Sequence, residues 1–158
     1  MSVRTGLGYD SHRLAPGRRL VLGGIELVSE RGLAGHSDAD ALTHAVIDAV
    51  LGAAGLGDIG MHFPDSDERW RDADSIELLR SVVARAHGAG YAVVNVDATV
   101  VMEAPQLGPA RERMRARLAD ALGLDPERVN VKATTGEGIG FAGRGEGVAA
   151  LAIATLDG

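Results

Sequence analysis

Apolar and polar positions in the first third of the chain fall into short extended blocks, and then switch to a helical rhythm. Val3 to Tyr9 is an apolar run that predicts a short first strand. Arg19-Leu20-Val21-Leu22 and Ile25-Glu26-Leu27-Val28, joined by Gly23-Gly24, predict a hairpin with a glycine turn. Beyond Ser37-Asp38, either of which suits a helix cap, Leu42, Ala45, Val46, Ala49, Val50 and Ala53 share one face. Ile47, Leu51 and Ala54 extend the apolar surface around the flank. This helix is predicted to run to about Ala54 and to end at Gly55-Leu56-Gly57. Asp58 to Arg71 has no period and reads as an acid-rich loop.

Ile76, Leu79, Val83 and Ala86 predict a second helix from Asp74 or Ser75 to His87, closed by Gly88 and Gly90. Tyr91 to Met102 alternates, with Val94, Val96, Ala98 and Val100 set against Asn95, Asp97 and Thr99, which predicts a half-buried strand. Pro109 suits the first turn of a third helix that turns Met114, Leu118, Ala121 and Leu122 inward and stops at Gly123. Val129 to Thr135 reads as a strand, Gly136 to Gly147 as a glycine-rich loop, and Val148 to Leu156 as a final strand. Strands, helices and a hairpin without a strict βαβ repeat predict an α+β fold. The expected form is a two-layer α/β sandwich, a mixed sheet with helices on one face plus a small β-hairpin. Residues 1–158 read as a single domain without linker or repeat.

Composition narrows the function. Hydrophobic residues are 46% of the chain but aromatics only 3%, so the core must be built from Ala, Val, Leu and Ile. A formal net charge of −6 argues against a nucleic-acid partner, which would require a basic face. Arg111, Arg113, Arg115 and Arg117 are spaced around a helix without stacking aromatics and read as solvated surface. The absence of cysteine excludes disulfides and thiolate metal sites. Met1-Ser2-Val3-Arg4 lacks the apolar core of a signal peptide, and no apolar run is long enough to span a membrane. A cytoplasmic location is the expectation.

Asp10 and His12, two apart on an extended segment, project to the same side. His44, in the first helix, can meet them from a neighbouring element. Two imidazoles and a carboxylate suit zinc and leave a fourth position open for a substrate oxygen. Asp40, His44 and Asp48 form a polar stripe on an otherwise apolar helix, which is expected to face a site or a partner; the plainer alternative is that His44 bonds Asp40 or Asp48. His36-Ser37 precedes that helix, where free N–H groups favour phosphate. Ordinary capping by Ser37 is the plainer reading and is compatible with that role. Lys132-Ala133-Thr134-Thr135-Gly136-Glu137 enters the glycine loop, where hydroxyls and backbone N–H groups suit phosphates and Glu137 suits Mg²⁺; a plain flexible loop is the alternative. Asp58-Ile59-Gly60 and Phe63-Pro64-Asp65-Ser66-Asp67 offer acceptors for substrate hydroxyls, or a solvated turn. Phe141 to Gly147, with Arg144 and Glu146, reads as a turn or as the lining of an anion cavity.

These motifs, in this order, resemble the 2-C-methyl-D-erythritol 2,4-cyclodiphosphate synthase family over almost the whole chain. The resemblance rests on Gly8-Tyr9-Asp10-Ser11-His12, His36-Ser37-Asp38-Ala39-Asp40 with His44, and Leu56-Gly57-Asp58-Ile59-Gly60. It continues through Phe63-Pro64-Asp65-Ser66-Asp67, Asn95-Val96-Asp97, Lys132-Ala133-Thr134-Thr135 and Gly143-Arg144-Gly145-Glu146-Gly147. It implies cyclisation of 4-diphosphocytidyl-2-C-methyl-D-erythritol 2-phosphate with release of CMP, in the non-mevalonate route to isoprenoids. It assigns zinc to Asp10, His12 and His44, and magnesium or manganese to Glu137. Transition-state stabilisation falls on His36 and Thr135. Contacts to erythritol and phosphate fall on Asp10, His12, His36, Ser37, Asp58, Ile59, Gly60 and the loop Phe63, Pro64, Asp65, Ser66, Asp67. The cytidine pocket falls on Ala104, Pro105, Gln106 and Leu107 with Ala133, Thr134 and Thr135, and further substrate or cavity contacts on Gly136, Glu137, Phe141 and Arg144.

The resemblance also implies a homotrimer with active sites between subunits and a central cavity able to hold an isoprenoid diphosphate. Gln106, Gly136 and Gly138 depart from the family's commonest pattern near the nucleotide and phosphate positions. Two other readings stay open on the residues alone. One is a metal-dependent phosphohydrolase acting on a nucleotide-linked substrate. The other is a trimeric isoprenoid-diphosphate binding protein without catalysis.

Overall fold

The structure is a computed structural model and describes residues 2–158. Its sheet has five strands in the order β4-β1-β7-β5-β6. They are β1 (Val3–Pro16), β4 (Arg31–Leu33), β5 (Ala92–Val101), β6 (Val129–Thr134) and β7 (Gly147–Asp157). β1 and β5 each pair antiparallel with β7, and β6 runs parallel to β5. β2 (Leu20–Leu22) and β3 (Ile25–Leu27) form the expected hairpin across Gly23-Gly24. Helices α1 (Ala41–Ala54), α3 (Ser75–Gly88) and α4 (Ala110–Leu122), with the single turns α2 (Ile59–His62) and α5 (Gly140–Gly143), complete the α+β fold.

α1 is the centre of the core, with twelve of its fourteen residues buried. It can sit so close to the sheet because β1 presents glycine to it. A Cβ at Gly8 would lie 1.8 Å from the carbonyl oxygen of Ala45, and one at Gly6 would lie 2.1 Å from that of Ala49. The alternate residues of β1 therefore define two faces. Gly6, Gly8, Asp10 and His12 share the helix side, while Val3, Leu7 and Tyr9 stand on the opposite side, 68%, 66% and 52% exposed. β7 repeats the division. Val148, Ala150, Ala152, Ala154 and Leu156 are buried, whereas Leu151 and Ile153 are exposed beside Tyr9 and Leu7, their register partners. One face of the sheet is thus covered by helices, and the other carries an exposed apolar patch where β1 meets β7, with polar residues such as Asp97 and Lys132 on β5 and β6.

Several element boundaries differ from the sequence expectation. β1 continues seven residues past Tyr9, because Asp10 to Arg13 pair with β7 and Leu14 to Pro16 pair with β4, a short strand that the pattern did not predict. α1 begins later than Ser37-Asp38, since its cap is Asp40, whose carboxylate accepts from Thr43 N at 2.9 Å. The segment from Asp58 to Arg71 carries α2 and a 3₁₀ turn, Glu68–Trp70, each opened by an aspartate cap. A bulge between Val93 and Asn95 shifts the period of β5, so Val93 is buried with Val96, Ala98 and Val100 while Val94 is only half-buried. α4 is as expected, with Met114, Leu118, Ala121 and Leu122 buried and Gly123 at its end.

Candidate functional site

The predicted polar stripe on α1 divides among three tasks. Asp40 is fully buried and does not face a cavity. Its carboxylate accepts from Gly23 N, Gly24 N, Thr43 N and Thr43 Oγ1 at 2.8 to 2.9 Å, clamping the hairpin to the start of the helix. Burial, and then the charge of Asp38, push its carboxyl above the ordinary carboxylate range against those bonds. Asp48 accepts from Ile59 N at 2.8 Å and anchors α2. His44 alone reaches toward β1.

There it meets both residues of the strand. Asp10 Oδ2 lies 2.8 Å from His12 Nε2 and 3.1 Å from His44 Nδ1, and the two nitrogens are 3.4 Å apart. The His44 imidazole therefore bonds neither Asp40 nor Asp48. The chemistry of this set fits a cation. His12 Nδ1 is 2.9 Å from the carbonyl oxygen of Ala34, which has no proton to give, so Nδ1 carries the proton. The neutral ring then turns the Nε2 lone pair onto a carboxylate oxygen, an arrangement stable only with a proton or a metal between them. Burial acts to raise the Asp10 carboxyl, but hydrogen bonds to His12 and then His44 hold it down to about 2, against an ordinary 3.8. Burial likewise works to lower the His12 imidazole, and Asp10 outweighs it and raises the group above 6.5. Asp10, His12 and His44 form a three-residue site able to hold a metal ion.

The triad forms one wall of a cavity of about 440 Å³. His36, Ser37, Ile59, Gly60, Phe63, Pro64 and Asp65 line it as well, so most of the residues singled out between His36 and Asp67 converge here. His36 is oriented by an Nε2 bond of 3.0 Å to the backbone oxygen of Asp67. Ser37 does not cap the helix; its Oγ lies 3.2 Å from His44 Nε2. Asp58 caps α2, Asp67 caps the following turn and pairs with Arg69 at 2.6 Å, and Ser66 is exposed. None of these three lines the cavity. The sequence reading missed Trp70, which closes the wall edge-to-face on Phe63 with ring centroids 5.0 Å apart. The indole Nε1 is buried without a partner. No period marked Trp70, because it is placed by a turn of three residues.

A second group of expected site residues gathers at the other edge of the sheet. Pro105, Gln106 and Leu107 line a pocket of about 230 Å³ with Ala133, Thr134 and Thr135; Ala104 is exposed beside it. Met102 N donates to Thr134 O at 3.0 Å and Gly136 N donates to Glu103, tying the two segments together. Glu137 is exposed with φ of 55°, and Thr135 Oγ1 donates to it at 3.4 Å. Neither Thr135 nor Glu137 lines the cavity of the triad, and β6 is three strand spacings from β1, about 14 Å. Phe141 lies with Ser11, His12, Arg13, Glu146 and Gly147 around a smaller recess of about 190 Å³, and Arg144 is paired with Glu146 at 3.1 Å.

A helix-covered mixed sheet with a carboxylate and two imidazoles in a cavity wall defines an α+β protein with a site able to hold a metal ion. A family model described as the YgbB family matches residues 3–157. The chain belongs to the YgbB family. It is 60% identical, over 98% of each chain, to the 2-C-methyl-D-erythritol 2,4-cyclodiphosphate synthase of Salinibacter ruber. It is 61% identical to the bifunctional enzyme IspD/IspF of Anaeromyxobacter dehalogenans, matching over 98% of its own length but spanning only 40% of that protein. Among solved structures, it superposes with a TM-score of 0.94 on the bifunctional IspDF of Campylobacter jejuni, at 42% identity, covering 98% of this chain and 42% of that one. A 2C-methyl-D-erythritol-2,4-cyclodiphosphate synthase in a CDP-bound form gives a TM-score of 0.89 at 38% identity, covering 98% and 100%. No helix among the described residues is long and apolar enough to cross a membrane.

Proposed function

We propose that the chain is a metal-dependent cyclase that converts 4-diphosphocytidyl-2-C-methyl-D-erythritol 2-phosphate to 2-C-methyl-D-erythritol 2,4-cyclodiphosphate and CMP, a phosphorus–oxygen lyase of isoprenoid precursor synthesis. The observation that carries the reading is the convergence of Asp10, His12 and His44 on one wall of a polar cavity, in a chain so similar to enzymes of that name. An oxygen of the substrate's 2-phosphate attacks the β-phosphorus, the bond from that phosphorus to the α-phosphate oxygen breaks, and CMP leaves with the electron pair. No protein nucleophile is needed, and the protein's work is positioning and charge neutralisation. When bound, zinc at Asp10, His12 and His44 and magnesium or manganese at Glu137 supply Lewis-acid polarisation of the diphosphate. His36 on the cavity wall and Thr135 on the β6 edge stabilise the charge that develops on the phosphate oxygens. Ser37, Ile59, Gly60 and the Phe63 to Asp65 segment hold the erythritol end, while Ala104 to Leu107 and Ala133 to Thr135 hold the cytidine.

The two sets line separate cavities of one chain, on strands three spacings apart, about 14 Å. On this reading the active site is composed between subunits, the triad from one copy and the nucleotide pocket from its neighbour. The bare face carrying Leu7, Tyr9, Leu151 and Ile153 supports this reading, since contiguous exposed apolar surface marks a buried interface. The assembly proposed is a homotrimer, working in the cytoplasm as a single-domain unit, with the Phe141 recess turned to a central cavity for an isoprenoid diphosphate. The test is phosphorus NMR of the diphosphocytidyl substrate incubated with the protein, zinc and Mg²⁺. A cyclic diphosphate together with CMP is the expected product. Linear phosphates alone would overturn the cyclase in favour of a hydrolase.

A further inference from the structure

Behind the triad, on the side of His44 away from the cavity, lies a chain of hydrogen bonds with only one consistent direction. Ser75, the first residue of α3, is fully buried. Its Oγ sits 2.7 Å from His44 Nε2 and 2.5 Å from Asp38 Oδ1. Asp38 accepts throughout: Oδ1 also takes Asp40 N at 3.1 Å, and Oδ2 takes Ser75 N at 2.9 Å. A hydroxyl has one hydrogen. Ser75 gives it to the carboxylate, so its oxygen can only accept from the ring, and His44 must carry its proton on Nε2. The more distant Ser37 Oγ, 3.2 Å from the same nitrogen, adds a second acceptor. If Ser37 donated instead, Nε2 and the Ser75 oxygen would face each other as two acceptors at 2.7 Å. In the neutral ring Nδ1 is thereby left as a lone pair directed at Asp10 Oδ2, a contact that, like that of His12, needs a cation between the two atoms.

We propose that Asp38 and Ser75 are positioning residues that fix His44 in its Nε2–H form and hold its Nδ1 ready as a metal ligand. The inference rests on the reading of Asp10, His12 and His44 as a metal site. It adds two residues that touch neither the metal nor the cavity. Asp38 lies in the segment leading to α1 and Ser75 opens α3, so the relay also ties the ligand's orientation to the docking of α3. A partner behind the ligating imidazole fixes its tautomer and raises its basicity, and losing such a partner typically weakens metal binding about 10- to 100-fold.

The tautomer is read on the full chain with ¹⁵N-labelled histidine, metal-free and carrying Asp10→Ala so that no carboxylate faces Nδ1, at a pH where the rings are neutral; zinc affinity is read without that substitution. Two-bond ¹H–¹⁵N correlation then reports which nitrogen of His44 carries the proton. The expected parent spectrum shows Nε2–H. Asp38→Ala frees the Ser75 hydroxyl to donate, so His44 should move toward Nδ1–H although Ser75 is still present. Ser75→Ala should leave a mixture of the two forms. Both variants should raise the zinc dissociation constant, read by competition with a chelating dye, by about 10- to 100-fold. An Nδ1–H ring in the parent overturns the proposal without any variant. So does an unchanged tautomer with unchanged zinc affinity in either variant once circular dichroism shows it folded. A parent that shows Nε2–H yet binds no zinc leaves the relay standing and refutes the metal reading instead.

Discussion

At the β1 end of the sheet, both ring nitrogens of His12 and His44 have partners and His44 is 9% exposed. At the β6 edge, Ala133, Thr134, Thr135 and Glu137 are exposed, and the threonine hydroxyls bond only within their own loop. The first site is set by the core itself: α1 rests on the glycines of β1, so the distance from His44 to Asp10 follows from backbone packing. The second lies at the surface, and the proposed reading completes it with a ligand and a neighbouring copy. A preorganised site of this kind would cost little reorganisation on taking up a cation, whereas the edge proposed for the nucleotide has fewer fixed contacts.

Substitutions can set the two regions against each other. The largest effect is expected from Gly8→Val, because its Cβ would fall 1.8 Å from the Ala45 oxygen and neither backbone can yield. It should cost more than about 4 kcal/mol and abolish a cooperative thermal transition in calorimetry; Thr135→Ala, on the exposed edge, should stay within about 0.5 kcal/mol of the parent. Next comes His44→Ala, expected to weaken zinc binding by at least about 100-fold with the fold retained, read by elemental analysis after dialysis. Thr135→Ala should leave zinc occupancy intact and lose turnover. Mixing those two inactive variants under conditions of subunit exchange should restore part of the activity, and a mixture that stays inactive would count against a site shared between copies.

A smaller effect, of about 2 kcal/mol, is expected from pH in the metal-free protein. Asp10 has a lowered pKa in the fold, so its contribution is present above 3.8 and is lost as pH falls toward 2. His12 has a raised pKa, so its contribution is present below 6.5 and disappears as pH rises through the folded value. Urea denaturation should therefore show a stability excess between about pH 4 and 6.5. Asp10→Asn should flatten it; an unchanged pH profile would show that the Asp10–His12 pair adds nothing to the metal-free fold.

The helices and the two-layer plan were legible because apolar spacing and capping residues act locally, as in Met114, Leu118 and Leu122 of α4. The triad was legible because Asp10 and His12 share a strand face, a property of any two residues that far apart. Three things were not. β1 looked short, since its second half carries Asp10, His12 and Arg13, polar residues that only the site and β7 explain. Asp40 looked like part of a functional stripe, since helical spacing alone cannot separate a cap that clamps a hairpin from a residue that faces a cavity. Ser75 and Trp70 gave no signal, because their roles come from contacts 31 residues away along the chain in one case and from a single 3₁₀ turn in the other.

Trp70 is also the chain's only tryptophan, and it stands in the cavity wall against Phe63 with its indole N–H unpaired. The protein consequently carries its own optical probe. Excited at the red edge, where Tyr9 and Tyr91 do not absorb, its emission reports on that one wall, so filling of the cavity can be followed in real time without a label.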